Sequence, residues 1–270
     1  MFSYLLGPAL SLPGLFVIQF VFGLAMYYAL SWLSFRYFFV WRKEHYFPGE
    51  PKPDPAEDRD AQKLAFWNLL GNAALGTPFQ YWIFHGRGRI YYSIGERGWA
   101  YFVFSAVLCL LLTELGVYWA HRWLHHPWLY KHLHLYHHKY RRPTPWVSMA
   151  FHPIDSWLQA VPTYLCALYI PMHISLYLGG FVFLMLWTFF IHDRVSWVRL
   201  PLVHYTAHHT IHHAYNKYNF GQYLTLFDRI FGSHKDPMEE QRFAVMYPPT
   251  AAVPAIPGAV KPDPSVRDAA

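Results

Sequence analysis

Three short stretches hold the residues best suited to chemistry: His121-Arg-Trp-Leu-His125-His126, His134-Leu-Tyr-His137-His138 and His208-His209-Thr-Ile-His212-His213. In shorthand they read HxxxHH, HxxHH and HHxxHH. Fifteen of the 18 histidines lie between residues 121 and 213, so the imidazoles are concentrated in one part of the chain. On a helix, residues three and four apart share a face. His121 with His125, His134 with His137 and His138, and His209 with His212 and His213 are therefore each expected to form a small imidazole group. Neutral imidazole ligates iron, zinc, copper and nickel. A solvated, pH-sensing patch would not need this spacing three times. The pattern points to a metal site.

The boxes alone contain ten histidines, and His192 and His152 stand nearby. One ion rarely takes more than five or six ligands, so two ions are expected. The candidate ligands are His121, His125, His126, His134, His137, His138, His192, His208, His209, His212 and His213. His152 could be a ligand, a support for one, or a helix cap. Soluble di-iron bundles rely on carboxylates with a Glu-x-x-His motif. Carboxylates are almost absent from these clusters, so a di-iron centre here would be rich in imidazole. A structural zinc site would close with four ligands, usually including cysteine. A bis-histidine haem would use one facing pair and leave the other histidines unexplained.

The elements that must position these residues are apolar. Of the 270 residues, 54% are hydrophobic, 20% aromatic and 14% charged, whereas charged residues make up about a quarter of an average soluble domain. The net charge of +6 comes from basic residues dispersed beside apolar spans. That arrangement fits the cytoplasmic face of a membrane protein and argues against a nucleic-acid partner. Cys109 and Cys166 lie in apolar runs and form no CxxC or disulfide framework. No cleavable leader is expected, because no basic region precedes the first apolar run.

The expected fold is all-α: a polytopic membrane helical protein with about four to five spans and a cytosolic, histidine-rich di-metal cap. Apolar segments at 15–32, 64–84 and 99–120 read as spans. Residues 157–191 are too long for one span and are broken by Pro162, Pro171 and Gly179-Gly180, so they read as a short hairpin that returns His192 to the level of His121. The organisation is then 1–120 as N-terminal membrane helices, 121–240 as the histidine-box region, and 241–270 as a disordered tail rich in Pro and Ala. Nineteen of the 22 Lys and Arg residues fall on the side that carries the boxes, which the positive-inside rule places in the cytoplasm. Glu114 is the single charge within 99–120, about two helical turns before His121. A carboxylate inside a span is costly and usually functional, so Glu114 is either the partner of a metal-bound histidine or a structural hydrogen-bond acceptor.

An open iron site at a membrane surface suggests O₂-dependent attack on an unactivated C–H bond of a lipid. Removal of one hydrogen followed by return of hydroxyl gives a hydroxylase; removal of a second gives a desaturase. The ligand pattern does not choose between them. A metal-transport or metal-binding membrane protein is the reading from another class.

The boxes, followed by Phe227-Asp-Arg-Ile-Phe-Gly232, resemble the fatty acid hydroxylase / sterol desaturase superfamily, and within it the sterol C-5 desaturases of lathosterol oxidase type. The resemblance runs through Tyr118-Trp-Ala-His-Arg-Trp-Leu-His-His126, Leu129-Tyr-Lys-His-Leu-His134, Pro143-Thr-Pro-Trp146, Ala150-Phe-His-Pro-Ile-Asp155, Ile191-His-Asp193 and Gly221-Gln-Tyr-Leu-Thr-Leu-Phe-Asp-Arg229. It departs at Met149, where such desaturases often carry another histidine. The resemblance implies two Fe ions, O₂ as co-substrate, and electrons from NAD(P)H through a cytochrome b5-type or ferredoxin-type donor. It implies C-5(6) desaturation of a sterol, with fatty acid, sphingolipid or carotenoid hydroxylation as the alternative within the family. The membrane would be endoplasmic reticulum in a eukaryote or the inner membrane in a bacterium.

Overall fold

The computed structural model describes residues 11–140, 142–196 and 199–237. The expected tail at 241–270 lies outside the described residues. Helix α1, Leu12–Trp41, begins where the Ser11 side chain accepts the Gly14 amide hydrogen, with Pro13 in the first turn. From Phe35 its turns widen, and the Arg42 amide reaches back five residues to the Tyr37 carbonyl. Helix α2, Pro55–Trp82, is capped by Asp54, whose carboxylate accepts from the Ala56 amide at 2.8 Å, and it carries Glu57 and Asp58 in its first turn. Helix α3 runs Gly98–Leu124, α4 Pro153–Tyr169 and α5 Ile174–His192. A two-residue parallel pair, β1 (Ile90–Tyr91) with β2 (Met172–His173), joins the loop after α2 to the turn between α4 and α5.

Among the described residues three helices, α1, α3 and α5, are long and apolar enough to cross a membrane. Their outward side chains are bare hydrocarbon: Val21 is 55% exposed and Val103 58%. In water such surface would be an association site; against lipid it is the preferred solvent-facing face. The sequence suggested four to five spans, and α2 and α4 account for the difference. Helix α2 is about 42 Å long; the expected segment 64–84 begins after its charged first turns and holds no charge, but Asn68, Asn72, Thr77 and Gln80 lower its hydropathy. Helix α4, at 17 residues, measures about 26 Å, short of a hydrocarbon core of about 30 Å. Both are packed among the others: α2 lies against α1 and α4, and α4 against α3. The α3–α4 approach is close at Gly116, where a Cβ would lie 2.5 Å from the Pro162 ring.

Helices α4 and α5 do form an excursion that leaves the histidine region at Pro153 and returns to it at His192. The 3₁₀ turn Pro145–Met149 is pinned to α1, because the Tyr27 hydroxyl donates to the Trp146 carbonyl at 2.8 Å and the Ser31 hydroxyl donates to the Pro145 carbonyl at 3.1 Å. Tyr27, Trp146, Val147, Ala150 and Phe189 then make one core, with Ala61 and Ala65 of α2. A second core joins Ile83 and Phe84 to Tyr164, Ala167, Met172 and Tyr177. Helix α6, Thr206–Tyr215, and the short α7, Leu226–Ile230, close the described chain over the ends of α3 and α5.

Candidate metal centre

Four pieces of chain deliver the imidazoles. The C-terminal turn of α3 carries His121, and His125 follows its end; the short turns Tyr130–His134 and Leu135–His138 carry His134, His137 and His138. The last residue of α5 is His192, and α6 carries His209, His212 and His213. These nine fall into two groups, His121, His125, His134, His138 and His212 in one, and His137, His192, His209 and His213 in the other. Within each group one nitrogen per residue lies within 4.8 Å of every other. The groups are neighbours: consecutive residues His137 and His138 feed different groups, and the His138 and His213 rings stack at 4.5 Å across the gap.

The Nε2 atoms face one another. Separations are 3.2 Å for His121 and His134, 3.1 Å for His134 and His138, and 3.1 Å from His212 to both His125 and His138. In the second group, His192 stands 3.1 Å from His137 and 2.9 Å from His209, which is 3.1 Å from His213. Two ligands at right angles around one ion, each bound at about 2.1 Å, are about 3 Å apart.

The outer nitrogens settle which tautomer is present. His121 Nδ1 donates to the Phe220 carbonyl at 3.0 Å, His192 Nδ1 to the Thr188 carbonyl at 2.6 Å, and His212 Nδ1 to the Tyr218 carbonyl at 2.8 Å. His134 Nδ1 donates to Asp155 Oδ2 at 2.7 Å, with both side chains wholly buried. A carbonyl can only accept, so the proton is on Nδ1 and a neutral ring keeps a lone pair at Nε2. Between His121 and His134 two lone pairs then meet with no proton to share. A cation resolves that repulsion. Burial drives the His137, His138, His209, His212 and His213 imidazoles well below their usual titration range, and the His125 imidazole with them; crowding by neighbouring imidazoles adds to it. These rings stay neutral and available as ligands. The donor set fits two transition-metal ions with predominantly nitrogen coordination.

Two candidates from the sequence stand outside both groups. Helix α3 ends at Leu124, and Pro127 forces the preceding residue into extended backbone. His126 is thereby swung out, is exposed, and serves as the cap of the next turn. His208 is buried, but its Nδ1 turns back to accept the Tyr205 amide hydrogen at 3.4 Å, capping α6. His152 likewise caps α4, accepting from the Ile154 amide at 3.2 Å.

Glu114 also differs from one of its two expectations. Its buried carboxylate hydrogen-bonds to no histidine among the described residues and accepts three backbone amides, those of Gln222, Tyr223 and Leu224, at 2.9–3.1 Å. Asp228 accepts the preceding two, Phe220 and Gly221, both at 2.8 Å, and the Ser233 hydroxyl as well. Two buried carboxylates thus gather five consecutive N–H groups and fix the Phe220 carbonyl that orients His121. Gly221 is required by this closure: a Cβ would sit 2.9 Å from Glu114 Oε1, 3.0 Å from Asp228 Oδ2 and closer still to the Leu224 carbonyl. The carboxylate that does support a candidate ligand is Asp155, which residue spacing did not single out. Its signal was the Pro after His152, which starts a helix and places Asp155 in the first turn, facing inward.

Above the groups lies an apolar cavity of about 540 Å³, within the 300–1,000 Å³ common for small-molecule sites. Four candidate ligands, His121, His137, His192 and His209, form part of its wall, with Leu15, Phe22, Phe84, Leu178 and Phe181 elsewhere in the lining. Phe151 covers His137 in a parallel stack at 3.9 Å, and Phe220 flanks His121, His125 and His212.

Residues 106–233 match the fatty acid hydroxylase family model. The chain is 37% identical over 225 residues to a Delta(7)-sterol 5(6)-desaturase of Gibberella zeae, an alignment covering 81% of this chain and 68% of that protein. The chain belongs to the fatty acid hydroxylase family. Other members are similar to it: a probable Delta(7)-sterol 5(6)-desaturase of Neurospora crassa is 38% identical over 232 residues (83% of this chain, 64% of that one). Lathosterol oxidase of Rattus norvegicus is 44% identical over 157 residues (56% and 52%). The chain therefore spans about half to two thirds of the length of the relatives it matches. No solved structure matches it. All nine grouped histidines, Asp155 and Asp228 fall inside the stretch that the family model covers.

Proposed function

We propose that this chain is an integral membrane oxidoreductase that introduces the C-5(6) double bond into a Δ7-sterol. The observation that carries the reading is the apolar cavity, whose wall includes ligands from both histidine groups, so that a buried lipid C–H bond can be brought against the centre. The printed names of the similar proteins, Delta(7)-sterol 5(6)-desaturase and lathosterol oxidase, support the substrate and the position of attack. The His121, His125, His134, His138 and His212 side chains would hold one iron ion, and His137, His192, His209 and His213 the other. The iron pair would supply O₂-dependent oxidising power. In balance, the hydrogens at C-5 and C-6, O₂, two electrons and two protons yield the alkene and two molecules of water. The electrons come from NAD(P)H through a cytochrome b5-type or ferredoxin-type donor.

The chain's own residues do three jobs in this scheme. Asp155 and the carbonyls of Thr188, Tyr218 and Phe220 hold Nδ1 protons and so keep Nε2 directed at metal. Phe151 and Phe220 exclude water from the imidazoles. The cavity wall excludes it from the substrate. The surplus of Lys and Arg on the histidine side supports a cytoplasmic active site, in the endoplasmic reticulum or a bacterial inner membrane. Two adjacent ligand groups beside a lipid-sized cavity favour this chemistry over metal transport, which would need ligands along a path across the bilayer.

Expression in a yeast strain lacking its own C-5 desaturase tests the reading, with His137→Ala as the inert control. Appearance of 5,7-diene sterols is the expected result. An inserted, iron-loaded chain that leaves the sterol profile unchanged would refute sterol desaturation; hydroxylated lipids in the same extract would establish the hydroxylase alternative.

A further inference from the structure

Among the residues that line the cavity, two are exposed, Ile18 at 51% and Phe22 at 50%; the others are buried or half-buried. Facing the cavity gives a side chain little exposure of its own, as the buried Leu15, Phe84 and Ile191 of the same lining show. Ile18 and Phe22 therefore stand at the mouth, one side toward the cavity and the other toward the surroundings of α1. They are four residues apart and share a face of that helix. Their neighbours Val17 and Val21 are as exposed but lie outside the lining. Because α1 is apolar enough to cross a membrane, the mouth opens to lipid and not to water.

The side of the mouth toward α2 is closed. Gln19 Nε2 donates to the Thr77 hydroxyl at 3.0 Å, and a Cβ on Gly23 would meet Leu69 at 3.4 Å, so this edge of α1 lies flat on α2. Toward α5 the helices are joined at two levels. On the histidine side the Tyr27 and Phe189 rings are 6.1 Å apart and share a core with Trp146; at the other end Leu15 shares a core with Tyr177. Between those levels α1 presents Ile18 and Phe22 to the lining, and α5 presents Val182 and Met185. On α5 the lining residues Leu178, Val182, Met185, Thr188 and His192 follow one another at three- and four-residue steps, a continuous stripe from the window to a candidate ligand. Resting on the reading of this cavity as the lipid site, we infer that substrate enters from within the bilayer, through the window between α1 and α5, with the Phe22 side chain as its gate. The occupant is a lipid of the surrounding leaflet, here the sterol, which follows the α5 stripe to the centre without passing through water. Product leaves by the same window. A gate changes the rates of entry and exit together and leaves the bound state as it was. Phe22 sets how fast the cavity fills, not how tightly it holds.

The test uses the membrane-embedded full chain and two probes delivered to the bilayer, a Δ7-sterol and a phosphatidylcholine, each carrying a photoactivatable diazirine. Light flashes at intervals after delivery, with mass mapping of adducts on the lining residues Met185 and Thr188, follow the filling of the cavity. Phe22→Cys is compared with Val21→Cys, each modified with a bulky thiosulfonate; the native Cys109 and Cys166 are buried. The tag at position 22 should slow filling by about tenfold or more, the effect of about 1.4 kcal/mol on a barrier. It should leave the final level of labelling unchanged, and a thiol reductant should restore the original rate. The tag at position 21 should leave rate and level as they were. Phe22→Ala, which widens the window, should fill at least as fast as wild type and to the same level. Equal filling rates with the tag at 22 and at 21 would overturn the inference. So would a lower final level at an unchanged rate, which marks Phe22 as a ligand contact, or slowing that the reductant fails to reverse, which marks damage to the fold. Absence of adducts from both probes in wild type would overturn it too. Adducts from the phospholipid and not from the sterol, slowed by the tag at 22, uphold the window and count against the sterol reading alone.

Discussion

Replacing Asp155 with asparagine keeps the shape of a buried side chain and removes one of its two acceptor functions. In the native protein Oδ2 takes the His134 Nδ1 proton at 2.7 Å and Oδ1 takes a Gln159 proton at 2.8 Å, in a position with no solvent exposure. Asparagine can accept only one of the two; its NH₂ must face the other donor, or His134 must move its proton to Nε2 and cease to be a ligand. Supporting carboxylates of this kind are worth about 10–100-fold in metal affinity, or about 1.4–2.7 kcal/mol. His134 belongs to the group of His121, His125, His138 and His212 and not to the other. Loss should therefore be confined to one ion. Metal analysis of purified Asp155→Asn, after dialysis against a graded chelator series, should give about two ions per chain at low chelator and a plateau near one at concentrations that leave wild type full. Retention of both ions with wild-type affinity would refute the tautomer argument, and simultaneous loss of both would show that the groups are not separable.

Two further outcomes follow from the geometry. Gly221→Ala drives a methyl group into the two carboxylates and the Leu224 carbonyl, so thermal unfolding in detergent should fall by an amount equivalent to roughly 2 kcal/mol or more. Gly179→Ala, where a Cβ meets nothing within 4 Å, should be neutral or mildly stabilising; equal destabilisation by both would sink the account of the loop. The second outcome concerns pH. For the buried and part-buried rings His125, His137, His138, His209, His212 and His213 the folded pKa lies below the unfolded value of 6.5. The unfolded chain then binds more protons, so stability is fully present above pH 6.5 and is lost as pH falls below it, by up to about 1.4 kcal/mol per ring per pH unit. Thermal stability that is flat from pH 7.5 to 5.5 would contradict the burial of these rings.

The sequence carried the centre further than the fold. Three- and four-residue spacing brought His121 with His125, His134 with His138, and His209 with His213 into the same groups, because those positions lie on helices or at their ends, where spacing dictates proximity; it also joined His137 to His134 and His138, and His212 to His209 and His213, which the structure divides between the two groups. His126 and His208 stand outside both groups, at helix boundaries, where a proline and a capping interaction override the periodicity. Division of the nine into five and four was not legible, since it depends on how α5 and α6 meet the short turns at 130–138. Asp155 and the Glu114–Asp228 clamp act across 21, about 110 and 8 residues of chain, and no local pattern reports such contacts. Three of the apolar segments lie on helices long and apolar enough to cross a membrane, whereas α2 and α4 are packed among the other helices and are not among those three.

The facing His121 and His134 Nε2 lone pairs at 3.2 Å bear on how much of the protein a cell can keep. A chain made without metal must either hold those two nitrogens in mutual repulsion or let the pieces of chain that carry them part. Parting exposes the end of α3 and the turn Tyr130–His134 together, and a locally opened membrane protein is what quality-control proteases remove. Because a bound ion stabilises only the closed form, occupancy and survival become the same variable. The abundance of this chain would then rise and fall with the supply of metal, at constant transcription, making its level a readout of cellular metal status.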